Sequence, residues 1–275
     1  EFIFNKAYGN NFSSILTFDK LYESILKKGD FVLLTFFPDL KKLKAINKFV
    51  KEKNSFLGIY FGDSQQYLDN IFAYYCNFLD FCFTGEVGEA YMYEAFCGLA
   101  AFHHPVCAVR NIDYFKSSKI SDPSKNRFYD FVHIGRFDNE RKGRLEIKQN
   151  LLKTNSNYLL LGPSDGCELV KTSELHNRIS ECNFGLVNCA SPESSPLSSR
   201  KINNQFQFKG KIWEYILAGC IPVLDYAPNT YRFGFKEGIH YIRLDNFSKE
   251  NLEELLEIDQ EVIKKMRNSL FSLAE

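Results

Sequence analysis

Residues Lys209-Gly-Lys-Ile-Trp-Glu-Tyr-Ile-Leu-Ala-Gly-Cys-Ile-Pro-Val-Leu224 put two lysines and one acid at the head of an apolar run that breaks at Gly219 and continues as a buried strand. A helix opening in this way offers free first-turn N–H groups and a positive dipole end to a phosphate, beside the ammonium groups of Lys209 and Lys211. Glu214, one turn on, can reach hydroxyls. An anion that also carries hydroxyls, such as a nucleotide sugar, fits that layout. A solvated helix whose Glu214 merely pairs with a surface lysine is the competing reading. It suffers because Trp213, Tyr215, Ile216, Leu217 and Ala218 leave little outward face for an acid.

A second group follows the apolar run that ends at Ile134: Gly135-Arg136-Phe-Asp-Asn-Glu-Arg141-Lys142-Gly143. A guanidinium and an ammonium on such a turn can neutralise the charge that grows on a departing diphosphate without help from a metal ion. Gly162 opens a turn after another apolar run and is placed to wrap a base or a phosphate. The long polar loop from Ala190 to Gln207, with five serines ahead of Arg200 and Lys201, is a further place for donor-phosphate or acceptor contacts. His104 and Asp63 are the two candidates for a general base in the first half, although a histidine at a helix end also serves as a cap for the dipole. No Asp-x-Asp accompanies a strand end, and no Gly-x-Gly-x-x-Gly, Walker lysine or Gly-x-Ser-x-Gly is present.

The elements that must position these residues alternate between short β-rich runs and amphipathic helical patterns, which predicts an α/β protein with parallel sheets. In the first half the pattern predicts helices at 14–27, 40–53, 65–78 and 88–102, with strands at 31–37, 56–61, 80–84 and 105–109. In the second half it predicts strands at 130–134, 158–161, 184–188, 221–225 and 240–244, with helices at 144–153, 172–182 and 210–218. The segment 249–273 reads as one or two exposed closing helices. Two Rossmann-like domains with a cleft between them follow: 1–112 for the acceptor, a polar linker at 113–129, and 130–275 for the nucleotide sugar, with the last helices packing back on the first domain. The first domain is short for its kind, and the chain opens on Glu1, which leaves a trimmed N-terminus open.

At 275 residues, 45% of them hydrophobic, the chain can bury a large core. Its 34 basic and 34 acidic residues cancel, so no overall field recruits nucleic acid, and any anion site must be local. No apolar run is long enough to span a bilayer, and peripheral membrane contact is left open. The eight cysteines form no Cys-x-x-Cys pair and sit in apolar segments, as reduced core residues of a cytoplasmic protein do; no metal site is expected.

The segment Lys211-Ile-Trp-Glu214-Tyr through Ala218-Gly219 and Pro222-Val223, with the Gly135-Arg136 loop, resembles the donor-binding blocks of GT-B glycosyltransferases, chiefly the retaining group, over about 130–244. The glycine-to-proline spacing is similar to that of fucosyltransferases. What the resemblance implies is a metal-independent transferase, using UDP- or GDP-sugars, that acts on a glycan, lipid-linked or protein acceptor, as in polysaccharide biosynthesis. Gly135, Arg136, Gly162, Lys209, Lys211 and Glu214 would bind the donor, together with Arg141 or Lys142, because the interval from Arg136 is one residue longer here. The family's second acid matches Glu214 and takes the ribose; its first falls on Phe206, leaving Gln205, Gln207, Lys209 and Lys211 as substitutes. Retention and inversion both stay open. A non-catalytic nucleotide- or partner-binding module and a nucleotide-sugar epimerase are the alternatives.

Overall fold

The computed structural model describes residues 21–22, 26–35, 37–61, 72–104, 127–138, 142–189, 208–226 and 230–274. The chain falls into two compact units, whose described parts are 21–104 and 127–274.

In the first unit β1 (Phe31–Leu34), α1 (Leu40–Glu52), β2 (Phe56–Phe61), α2 (Ala73–Cys76), β3 (Phe81–Thr84), α3 (Val87–Cys97) and β4 (Ala100–His103) alternate. The strands are all parallel and stand in the order β1-β2-β3-β4. The start of α1 is fixed by Asp39, whose side chain accepts the Lys42 N–H at 2.8 Å, and its Leu43, Ile46 and Val50 form one buried stripe. A sheet wound in one direction through right-handed crossovers collects its helices on one face. Leu57, Ile59, Phe61 and Cys82 are accordingly fully buried on that side. The opposite face carries Phe31, Phe56 and Phe102, which remain 71%, 43% and 52% exposed.

The predicted helix over 88–102 is corrected here. Gly98, at φ 62°, closes α3 in the left-handed conformation that glycine adopts without strain, and residues 100–103 pair with β3 as a strand. His103 therefore ends a strand, and His104 follows it, so the reading of these histidines as a helix cap is withdrawn. The expected strand at 105–109, most of the helix at 14–27 and the first half of the helix at 65–78 lie outside the described residues, as does the linker up to residue 126.

The second unit runs β5 (Tyr129–Ile134), α4 (Lys142–Leu151), β6 (Tyr158–Leu161), α5 (Thr172–Ile179), β7 (Cys182–Val187), α6 (Lys211–Leu217), β8 (Ile221–Leu224), a short 3₁₀ turn (Thr230–Phe233), β9 (Ile242–Arg243), α7 (Lys249–Leu256) and α8 (Gln260–Ala274). Its parallel sheet has the order β6-β5-β7-β8-β9. Because the chain first steps from β5 to β6 and then crosses back to β7, the crossovers cover both faces. Phe131, Val132, Leu186, Val187, Val223 and Leu224 are all fully buried. The closing helices are not the exposed pair expected: Leu252, Leu255, Ile263, Met266 and Leu270 are buried, and α8 packs on α6 and β8. The α/β class with two parallel sheets is as the sequence predicts.

Candidate active site

The carboxyl ends of β5, β6, β7 and β8 gather the polar groups of the second unit. Beyond Val132, which pairs with Gly185, β7 no longer pairs with β5, and α6 takes over the edge. Tyr215, fully buried, accepts the Ile134 N–H at 3.1 Å and donates to the Leu186 carbonyl at 3.4 Å. Its ring lies across Gly185, where a Cβ would stand 2.4 Å from it. One turn earlier, the Lys211 ammonium donates to the Ile134 carbonyl. Two side chains at i and i+4 of α6 thus hold both backbone polar groups of one residue, Ile134, at the end of β5.

That clamp sets Lys211 beside Arg144. A Cβ built on Gly135 would lie 3.0 Å from an Arg144 guanidinium nitrogen and 3.4 Å from the Lys211 ammonium, so both cations converge over this glycine. Arg144 also donates to the Arg136 carbonyl at 3.3 Å. Desolvation, then the charges of Arg144 and Lys209, hold Lys211 well below the ordinary lysine value; Cys189 and Glu214 pull weakly the other way. Several positive charges are packed where they repel one another.

His133, wholly buried on β5, lies beneath the same loop. Its Nδ1 is 2.9 Å from the Leu186 carbonyl; a carbonyl only accepts, so Nδ1 carries a hydrogen. Nε2 has no partner. Burial first, then Lys211 and Arg144, keep its pKa well below that of a free histidine.

The loops are locked to each other. A Cβ on Gly162 would be 2.2 Å from the Gly135 carbonyl oxygen, and Gly162 sits at φ 150°, so only glycine fits. Ser164 Oγ accepts the Phe137 N–H at 2.9 Å, tying the turn after β5 to the turn after β6. Asp225, beyond β8, accepts the N–H groups of Cys189 and Tyr226 at 2.8 and 2.7 Å and the Asn188 amide at 2.6 Å. Asn188 in turn packs against Gly143 at the start of α4.

The structure brings together Gly135, Gly162, Lys209, Lys211 and Glu214 of the residues expected from sequence. Glu214 is half-buried one turn after Lys211, and its charge acts on Lys211 and Tyr215. Arg136 turns outward and pairs with Asp138 at 2.6 Å, and Lys142 is exposed as the first residue of α4. His104, in the first unit, packs its ring against Tyr60 and Phe83. Asp63, Arg141 and the loop 190–207 lie outside the described residues. Sequence reasoning missed Arg144, Tyr215, Asn188 and Asp225; the one local signal was that Arg144 is a further cation directly after Lys142-Gly143. Among the described residues no group of three or more His, Cys, Asp or Glu is placed to hold a metal ion.

No family model and no curated protein matches this chain. Solved structures do match. An alpha-glucosyltransferase in complex with UDP and a 13-mer DNA containing an HMU base shares 14% identity over 93% of this chain and 78% of that one, with a TM-score of 0.62. Anabaena HepE in complex with UDP shares 11% over 94% and 75%, with a TM-score of 0.58. The pneumococcal O-GlcNAc transferase GtfA in complex with UDP and GlcNAc shares 14% over 94% and 55%, with a TM-score of 0.54. At such identities the likeness is one of fold. The chain has the GT-B architecture of these glycosyltransferases, two units each built on a parallel sheet.

Proposed function

We propose that this protein is a glycosyltransferase that moves a sugar from a nucleoside-diphosphate sugar to a glycan, lipid-linked or protein acceptor, with the donor at the carboxyl end of the second sheet. The convergence of Lys211 and Arg144 over Gly135, with Lys209 close by, is the observation that carries this reading. Cations crowded at a cost in repulsion are stabilised by an anion, and a diphosphate is the anion that the three similar structures hold as UDP. As the bond between the anomeric carbon and the diphosphate oxygen breaks, negative charge builds on that oxygen, and fixed cations in a partly desolvated site stabilise it without a metal ion. Glu214 is placed to accept hydrogen bonds from ribose hydroxyls. Gly135 and Gly162 let two loops approach the donor by their backbones, and Arg136 or Lys142 acts on the diphosphate from the rim, joined by Arg141 in this reading. His104 or Asp63 of the first unit would take the proton from the acceptor.

The even balance of charge supports an acceptor other than nucleic acid. Three of the similar structures hold DNA or are of a DNA-modifying enzyme, which makes DNA a necessary member of any acceptor panel. Free, largely buried thiols at seven described cysteines support a reducing, cytoplasmic setting, and a role in polysaccharide biosynthesis is the pathway class we favour.

Titration with UDP and GDP, read by calorimetry and by the fluorescence of Trp213, the chain's one tryptophan, tests the site. Lys211→Ala and Arg144→Ala are each expected to weaken nucleotide binding about 10- to 100-fold, the worth of one charge-assisted hydrogen bond. Release of free nucleotide from a donor, with product analysis in the presence and absence of acceptor, separates a transferase from an epimerase and from a binding module. Unchanged affinity in both variants removes the site assignment.

A further inference from the structure

The cations that argue for a diphosphate carry a second consequence for how it binds. We infer that binding of a nucleoside diphosphate takes up a proton at Lys211, so that affinity falls as the solution becomes more alkaline. The inference rests on the reading of this cluster as the donor site.

A Cβ built on Gly135 would lie 3.0 Å from an Arg144 guanidinium nitrogen and 3.4 Å from the Lys211 side-chain nitrogen, so the two basic groups share one small space. Among the described residues, the titratable groups coupled electrostatically to Lys211 are Arg144 on α4, Lys209 ahead of α6, His133 on β5, Cys189 beyond β7 and Glu214 on α6 itself, with Asp225 behind Cys189. Arg144 stays protonated at any working pH. Burial and the mutual repulsion of Lys211, Arg144 and Lys209 favour the neutral amine of Lys211. A diphosphate placed on Arg144 and Lys211 brings about three negative charges and reverses that balance, favouring the ammonium. The sign follows directly. A lysine whose proton affinity is lower in the free protein than in the complex gains a proton from the buffer on binding, between the two titration points.

The experiment is calorimetric titration of the full chain with UDP from about pH 7.5 to pH 9, in two buffers of different ionisation enthalpy. In this window the terminal phosphate, which titrates near about pH 6, is already fully ionised, and the buried imidazole of His133 is already neutral. We expect an enthalpy that differs between buffers by up to one proton's worth, and affinity that falls by up to about tenfold per pH unit. Lys211→Arg keeps the charge and cannot shed the proton, so it should bind UDP with a nearly flat profile over the same range; ionisation of the base itself is common to both proteins and cancels. A flat wild-type profile with buffer-independent enthalpy overturns the proton uptake, as does a Lys211→Arg profile as steep as the wild type. If UDP binds but without pH dependence, only this inference falls. If UDP binds at no pH, the donor-site reading falls with it.

Discussion

The two sheets are built from the same strand–helix repeat, yet among the described residues only the second gathers cations at its strand ends, and the difference follows the direction of winding. Sheet one adds each of its described strands on the same side, β1-β2-β3-β4, so the crossover helices between them share one face and, among these strands, no adjacent pair sends its connections in opposite directions. Sheet two reverses at β5, between β6 and β7. At such a reversal the loops leave in opposite directions and open a crevice beyond the strand ends, which is where open α/β sheets bind ligands. Gly135, Lys211, Arg144 and Gly162 all stand around the end of β5. The reversal also covers both faces of the second sheet, whereas the first keeps phenylalanines on an open face.

The largest expected effect comes from a buried ring in the doubly covered sheet. Phe131 is fully buried, pairs with Phe184 on β7 at 5.9 Å, and its removal by Phe131→Ala should cost about 3–5 kcal/mol. Urea unfolding followed by the fluorescence of Trp213, which sits in this unit, reads that loss directly. A change below about 1 kcal/mol would mean that the second sheet is not packed on both faces as described.

Next comes the glycine contact at the reversal. Gly162→Ala places a methyl group 2.2 Å from the Gly135 carbonyl at a φ of 150°, so the two loops must separate. Overpacking and backbone strain together should cost about 2–4 kcal/mol, with weaker UDP binding as a second readout. Full stability with weakened binding would show that the loops part easily and that Gly162 serves the ligand alone.

Much of this was legible from residue order, and what was not has a physical cause. Phe56–Phe61 and Tyr158–Leu161 stand where their apolar runs predicted, because a buried parallel strand is little more than such a run between breakers. The sequence predicts helix over the strand at 100–103 because Leu99, Ala100, Ala101 and Phe102 continue the apolar pattern past Gly98; the glycine is the stop signal. In the candidate site, Lys211 and Glu214 are visible because they share one helix turn. Arg144 and Asp225 belong to separate crossovers, and only the sheet order brings them to the same strand ends, so no local pattern announces them. Tyr215 read as core, and core it is, but its hydroxyl does the clamping at Ile134.

The smallest effect is the sharpest test of the comparison, because it substitutes the same residue type on the open face. Phe31 is 71% exposed, and its ring stacks on Phe56 at 5.0 Å and meets Phe81 edge-on at 5.7 Å. With 29% of an aromatic surface of about 200 Å² covered, about 60 Å² is shielded from water, which at about 25 cal/mol per Å² is worth about 1.5 kcal/mol at most. Phe31→Ala should therefore cost about 1 kcal/mol, several times less than Phe131→Ala, and should raise solubility by shrinking an exposed apolar patch. Hydrogen exchange at the β1 amides measures the cost within the first unit alone. A loss as large as that of Phe131→Ala would show that this face is covered in solution, and the contrast drawn from winding direction would no longer hold.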